Sequence, residues 1–105
     1  MKVQESKADV LTITGVDGLD PITVFLQDLG PGEGRLTISC YGQSWSAFWG
    51  GMGIGRTVRQ FLLTTDTTYV LDKLVGGLQR AVSRREKLWA LKIVDVVLHA
   101  IRAMA

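Results

Sequence analysis

The sequence has little of what stabilises or anchors a protein outside the cytoplasm. Cys40 is the only cysteine among 105 residues, so no intrachain disulfide can form. It alternates with Leu36 and Ile38, and this spacing predicts a small buried side chain rather than a reactive thiol. The first seven residues lack the apolar core of a signal peptide, and no apolar run approaches the roughly 20 residues of a membrane span. We therefore expect a cytoplasmic protein with no membrane contact.

The sequence is equally poor in residues that carry chemistry. His99 is the only histidine, and Asp95, four residues earlier, is the only acid at helical spacing from it. A metal site needs more ligands than this pair supplies, and such a pair is typical of a solvated helix surface. Ser44 and Ser46 have no basic partner nearby in the sequence. We therefore expect no metal, no cofactor and no catalytic set, and predict that the protein is not an enzyme.

The first half of the chain has the pattern of a small antiparallel sheet. Alternation of apolar and polar residues predicts four strands, over residues 10–16, 22–29, 35–41 and 44–49. The connection over residues 30–34 contains one proline and three glycines, which favours a tight turn and an antiparallel hairpin. Four glycines within residues 50–55 then end the sheet.

Three helices are predicted to follow. Residues 57–60 (T-x-x-Q) and 83–86 (S-x-x-E) have the form of capping boxes. The run 64–67 breaks the first helix and caps the second, and two glycines at 76–77 end the second. The length suits a single domain. The prediction is an α+β fold in which residues 1–8 are flexible, 9–49 form a four-stranded antiparallel meander, 50–56 a glycine-rich turn, and 57–105 three helices packed on one sheet face.

The last predicted helix is apolar around most of its circumference. Its polar residues form one narrow stripe, made of Arg85, Lys92, Asp95, His99 and Arg102. A surface helix needs an apolar stripe only somewhat wider than about 100°. Two interpretations remain open: the helix packs across the sheet with the other helices beside it, or residues 83–104 are partly buried in a homodimer.

The glycine-rich segment is one residue away from a phosphate-binding loop. Gly50-x-x-x-x-Gly55-Arg56-Thr57 has the Walker A spacing, with arginine in place of the lysine that reaches the β and γ phosphates. The strands before it indicate an antiparallel meander, whereas nucleotide-binding folds have a parallel sheet. The favoured interpretation is a sharp turn that lets the following helix pack closely. Anion binding at that helix N-terminus, assisted by Arg56 and Arg59, is the alternative.

Charge is divided unevenly along the chain. Residues 1–54 contain three basic and six acidic residues, and residues 55–105 contain nine basic and four acidic residues. The predicted sheet half therefore has a net charge of −3 and the helical half +5, a distribution that can steer a partner. The candidate contact residues are the loop acids Asp17, Asp20, Asp28 and Glu33, and the arginines Arg56, Arg59, Arg80, Arg84 and Arg85.

Three segments carry a family resemblance. They are L-D-P-I-T-V at residues 19–24, the segment at 41–53 containing S-W-x-x-x-W-G-G-M-G, and Y-V-L-D-K-L at residues 69–74. In these segments the chain resembles a group of small proteins from tailed bacteriophages and prophages. The resemblance implies a phage accessory protein, and it implies no catalytic residues.

Three functional hypotheses follow. The first is a non-enzymatic protein that inhibits a bacterial defence complex by protein–protein contact, as anti-CRISPR proteins do, with the four loop acids occupying a nucleic-acid channel. The second is a nucleic-acid-binding protein that uses the five arginines, with Tyr41, Phe25 and Phe48 as a stacking platform. The third is a nucleotide-binding enzyme at the glycine loop.

Overall fold

The structure, a computed structural model, describes residues 1–105 and has the predicted α+β architecture. Four strands form one antiparallel sheet in the order β1-β2-β3-β4, and three helices follow in the chain. The elements are β1 (Asp9–Ile13), β2 (Ile22–Gly30), β3 (Glu33–Cys40), β4 (Gln43–Trp49), α1 (Val58–Leu62), α2 (Thr67–Gly76) and α3 (Arg84–Ala103).

The strand alternation was predicted correctly, but the strand ends were not. β1 ends at Ile13, three residues earlier than predicted, because the chain turns through Gly15 at a φ of +77° and begins the loop to β2. β3 begins two residues earlier than predicted, at Glu33, which pairs with Gly30 across the turn. Hydrogen bonding to a neighbouring strand, which the sequence does not display, determines these limits.

The helix starts follow their local capping signals, with one difference. Thr57 and Gln60 form the predicted reciprocal capping box of α1, and Asp66 caps α2 by accepting from the Tyr69 N–H. Ser83 caps α3 by accepting from the Glu86 N–H, at 3.1 Å. The predicted return bond from the Glu86 side chain to Ser83 is absent, because that carboxylate is bound elsewhere. The predicted second capping box is therefore only half formed.

The helices cover one face of the sheet. The inward residues of β2, β3 and β4 join residues of all three helices in one cluster of 21 buried side chains. In α3 the apolar circumference is mostly buried within the chain, through Ala90, Ile93, Val94, Val97, Leu98 and Ile101. This burial supports packing of α3 within its own chain, whereas a homodimer through residues 83–104 stays a prediction. No helix or strand covers the opposite sheet face, where Phe25 and Phe48 are exposed and residues 6–8 line a pocket together with Phe25 and Arg35.

Two further features of the structure bear on the predictions made for Cys40 and for membrane-spanning segments. Cys40 is buried on β3, as its alternation predicted, and burial together with the nearby Asp20 charge raises the pKa of its thiol. None of the three helices combines the length and apolar character that a membrane crossing requires.

Candidate functional site

The four acidic candidate residues lie at two opposite ends of the sheet. Asp17 and Asp20 are in the β1–β2 loop, whereas Asp28 and Glu33 flank the β2–β3 turn. Most of β2 lies between the two pairs, and the eight residue steps from Asp20 to Asp28 span about 26 Å of extended chain. The acids predicted from sequence as one contact surface are therefore two pairs that cannot contact the same small patch of a partner.

Asp28 has a structural role inside the chain. Its Oδ1 accepts a hydrogen bond of 2.8 Å from the backbone N–H of Val58, the first residue of α1. A carboxylate in this position complements the positive end of the helix dipole. The alternative prediction placed a bound anion at this helix N-terminus. Asp28 already occupies that position.

The glycine-rich segment does not have the context of a phosphate-binding loop. Arg56 donates to the Thr64 hydroxyl at 3.0 Å and to the Met52 carbonyl at 3.4 Å, and its guanidinium lies 5.6 Å from the centre of the Phe61 ring. The Thr57 hydroxyl is used as the α1 cap. The sheet before it is antiparallel. In a phosphate-binding loop the side chains of Arg56 and Thr57 would face the nucleotide. Here they hold the segment against α1, which agrees with the favoured interpretation of a sharp turn.

The glycine-rich segment docks onto the β2–β3 turn. Met52 is buried, and its N–H donates to the Gly32 carbonyl at 2.8 Å. A Cβ atom on Gly32 would lie 2.5 Å from the Gly53 carbonyl oxygen, and Gly32 and Gly53 have φ values of +72° and +109°. Only glycine fits such an approach without strain. We call the two docked segments, residues 29–33 and 50–55, the tip.

The tip presents an apolar residue with an acidic neighbour. Ile54 has 104% of its reference surface exposed, and it is held between Gly53 and Gly55. Leu29 is 43% exposed because the β2–β3 register shifts between Asp28 and Gly30 and leaves it outside the pairing. Pro31 and Glu33 are also exposed. The tip therefore presents an exposed apolar residue between two backbone hydrogen bonds, Met52 N–H to Gly32 and Arg56 N–H to Gly53, with an exposed carboxylate on the neighbouring turn.

Three of the five candidate arginines are bound within the chain. Arg56 holds the glycine segment, and Arg59 pairs with Asp9 at 3.3 Å. Arg80 makes two 2.8 Å hydrogen bonds to the Glu86 carboxylate, which also accepts from the Trp45 Nε1–H at 3.1 Å. The hydrogen bonds from Arg80, the larger cause, and from Trp45 lower the pKa of Glu86. The Arg80–Glu86 hydrogen bond in turn raises the pKa of Arg80.

The remaining basic and aromatic candidates are not gathered in one place. Arg84 and Arg85 are exposed at the start of α3 and make no hydrogen bond or ion pair. Phe25 and Phe48 lie on the open sheet face, where Arg35 is the register partner of Phe48. Tyr41 is in the β3–β4 turn. The two free arginines and the sheet aromatics thus belong to different surfaces.

The tip was missed at the sequence level although its signal was present. Residues 30–34 and 50–55 are the two most glycine-dense segments of the chain, and glycine clusters often mark a close backbone approach. Each was interpreted as a separate turn. Their mutual docking depends on the β3–β4 register, which places Trp49 beside Gly34.

Fold and site together define a small α+β protein with an exposed apolar tip at one end of its sheet. A model of a phage protein family matches residues 1–92, and the chain belongs to this family. No curated protein and no solved structure matches the chain. The resemblance to phage proteins is thereby confirmed at the level of the family.

Proposed function

We propose that this phage protein works without catalysis, by binding a protein of the bacterial host and inhibiting a defence complex, and that the tip makes the contact. The observation that carries the proposal is Ile54, fully exposed in a segment that the Met52 N–H hydrogen bond to the Gly32 carbonyl attaches to the β2–β3 turn. Membership of a phage family supports an accessory role, and the inhibition of a defence complex extends the analogy with anti-CRISPR proteins.

The geometry of the tip suits a protein partner for two physical reasons. A fixed loop loses little conformational entropy on binding, so more of the contact energy is realised as affinity. Apolar anchors surrounded by polar groups are typical of the residues that dominate protein interfaces. Glu33 and the outer part of Asp28 give the surroundings a negative charge, which complements a basic nucleic-acid channel.

The test is affinity capture from a bacterial lysate, with nuclease-treated and untreated halves compared. We expect a stoichiometric protein that survives nuclease, and we expect Ile54→Asp to weaken its binding by at least about tenfold, because a charge replaces the apolar anchor. The matched control is Asp17→Lys with Asp20→Lys at the opposite end, which changes two exposed residues and leaves the tip unaltered. Thermal unfolding should be the same for all three proteins.

Two outcomes contradict this proposal. If Ile54→Asp captures the partner normally while the Asp17 and Asp20 variant loses it, the contact is at the opposite end of the sheet. If all enrichment disappears with nuclease, the protein binds nucleic acid instead of a host protein.

A nucleic-acid-binding role is the second candidate, and one observation favours it. The open sheet face has two exposed phenylalanines near Arg35, and no acidic side chain points outward from its central strands between residues 23–27 and 35–39. Aromatic side chains on a sheet can stack unpaired bases. This role predicts binding to single-stranded DNA or RNA that weakens steeply with salt and is lost in Phe48→Ala. The variant Arg84→Ala with Arg85→Ala tests the helical arginines separately. If the sheet face binds the nucleic acid, this variant should keep its binding.

A further inference from the structure

The open face of the sheet contains a pocket that is separate from the tip. It has a volume of about 480 Å³ and lies between the chain segment before β1 and the outward side chains of β2, β3 and β4. Residues 6–8 form one wall of the pocket, and the sheet forms its floor. This volume is within the range that small-molecule ligands occupy in proteins.

The register of the sheet fixes the floor of this pocket. Phe25 pairs with Thr37, which pairs with Ser46, and in the next row Gln27 pairs with Arg35. The side chains of directly paired residues point to the same face, with Cβ atoms about 5 Å apart. All five residues line the pocket. The floor is therefore one continuous patch that three hydrogen-bonded strands hold in place.

The pocket concentrates positive charge in the acidic half of the chain. Residues 1–54 contain six acidic and only three basic residues, and two of those three, Lys7 and Arg35, line this pocket. Neither cation makes a hydrogen bond or an ion pair within the chain. Their charges are therefore available to a ligand.

The acidic residues close to the pocket do not neutralise these cations. Asp9, directly after the wall, pairs with Arg59 at 3.3 Å. Glu33 is bent towards Gly30, so that a Cβ atom on that glycine would lie 3.3 Å from the Glu33 Oε2 atom. Glu5 is exposed, and no acidic side chain lines the pocket. Two unpaired cations without a carboxylate favour an anionic ligand.

The uncharged part of the lining adds further hydrogen-bond donors. The Thr37 Oγ1 and Ser46 Oγ atoms are 2.6 Å apart, so one hydroxyl donates to the other and the accepting hydroxyl keeps its own hydrogen for a ligand. The Gln27 amide adds an NH₂ group, and the planar guanidinium of Arg35 can hold two phosphate oxygens at once. Phe25, with 37% of its surface exposed, places an apolar ring beside these donors.

We propose that this pocket binds a nucleotide, with Lys7 and Arg35 holding its phosphate and Phe25 contacting its base. The cations and hydroxyls recognise the phosphate, and the ring beside them favours a phosphate ester that carries a flat group. The nucleotide is either free or one unit of a single strand. In the second case the inference rests on the nucleic-acid-binding role proposed above, and in neither case does it depend on a host protein bound at the tip.

The test is calorimetric titration of the full chain with inorganic phosphate, adenosine monophosphate and a short single-stranded oligoadenylate. We expect adenosine monophosphate to bind at least about tenfold more tightly than phosphate, because its base adds contact with Phe25. Tighter binding of the oligoadenylate identifies a strand as the source of the nucleotide. Binding no tighter than that of adenosine monophosphate identifies the free nucleotide.

Substitutions separate the two parts of the site. Lys7→Gln with Arg35→Gln should weaken the binding of adenosine monophosphate by at least about tenfold. The matched control, Arg84→Gln with Arg85→Gln, removes the same charge from the start of α3 and should bind as the wild type does. Phe25→Leu should weaken the binding of adenosine monophosphate by about fivefold or more and leave phosphate binding unchanged. Thermal unfolding should show that every variant is folded.

Four outcomes overturn the inference. They are no binding of adenosine monophosphate at millimolar concentration, equal affinity for it and for phosphate, binding that the Lys7 and Arg35 variant retains, and binding that the Arg84 and Arg85 control loses. Failure here is distinguishable from failure of the proposed functions. Oligoadenylate binding that is lost in Phe48→Ala but kept in the Lys7 and Arg35 variant would support the nucleic-acid role alone, and capture of a host protein by the tip does not involve this pocket.

Discussion

The two ends of the sheet are held together by different kinds of contact. At the tip the Gly32 and Gly53 backbones approach each other closely, and Gly34, directly after the tip, is crowded by the Val58 and Met52 side chains, so there is little space for another side chain. At the opposite end, polar side chains make the connections, mainly the Trp45–Glu86–Arg80 group. The first kind of contact depends on shape and tolerates little substitution, whereas the second depends on charge and should respond to pH.

The largest effect is expected at Gly34, the residue directly after the first tip segment, where the chain is most crowded. A Cβ atom on Gly34 would overlap the Val58 Cγ2 atom and lie 3.0 Å from the Gln27 carbonyl oxygen. We expect Gly34→Ala to lower the free energy of unfolding by about 3 kcal/mol, measured by urea denaturation, because α1 must move away from the sheet. Gly42→Ala is the control at the opposite end, where a φ of +76° is needed but nothing lies within 4 Å. It should cost only about 1 kcal/mol. If both variants lost the same free energy of unfolding, the cost at both ends of the sheet would come from backbone conformation and not from crowding.

A smaller difference in the free energy of unfolding is expected between substitutions of the two tryptophans of β4. Trp45 donates to the charged Glu86 carboxylate at 3.1 Å, and Trp49 donates to the neutral Tyr69 hydroxyl at 2.9 Å. Both rings are buried, so replacement by phenylalanine removes a similar volume from each. We expect Trp45→Phe to lower the free energy of unfolding by about 1 kcal/mol more than Trp49→Phe, since hydrogen bonds to charged groups are stronger. A larger loss for Trp49→Phe would contradict the distinction between the two ends.

The smallest effect should appear as a pH dependence. Because Arg80 and Trp45 lower the pKa of Glu86 in the folded protein, its ionised form adds stability above the unfolded value of about 4.3. That contribution disappears as the pH falls from there through the folded pKa. The wild type should therefore unfold at a higher temperature than Glu86→Gln near neutral pH, and this difference should close in acid. A difference that is independent of pH would show that the carboxylate charge contributes nothing.

Much of the fold could be predicted because its determinants are local. The alternation in β2, β3 and β4 shows which residues face the core, and Thr57, Asp66 and Ser83 mark the helix starts within three residues of their partners. Such signals are contained in short windows of sequence. The four-stranded meander followed by three helices was therefore predictable without any knowledge of long-range contacts.

The site was less predictable because its determinants are distant in sequence. Glu86 was expected to bond to Ser83 but binds Trp45, which is 41 residues away. Asp28 was predicted only as a contact residue, and the sequence gives no sign that its Oδ1 also caps a helix 30 residues later. Some side chains have both a local and a distant candidate partner. Which of the two partners such a side chain binds can be decided only when the register of the sheet is known. The same register separates the acids that the sequence suggested as a group.

The cap that Asp28 provides for α1 has a consequence for the order of folding. A helix of five residues is far too short to persist alone in water. Its first N–H is satisfied by a side chain at the end of β2, and Val58 at its start packs against Gly34 of β3. α1 can therefore become stable only after the β2–β3 hairpin has formed. We therefore expect α1 to form late in folding, and any event that opens the hairpin should also release the helix.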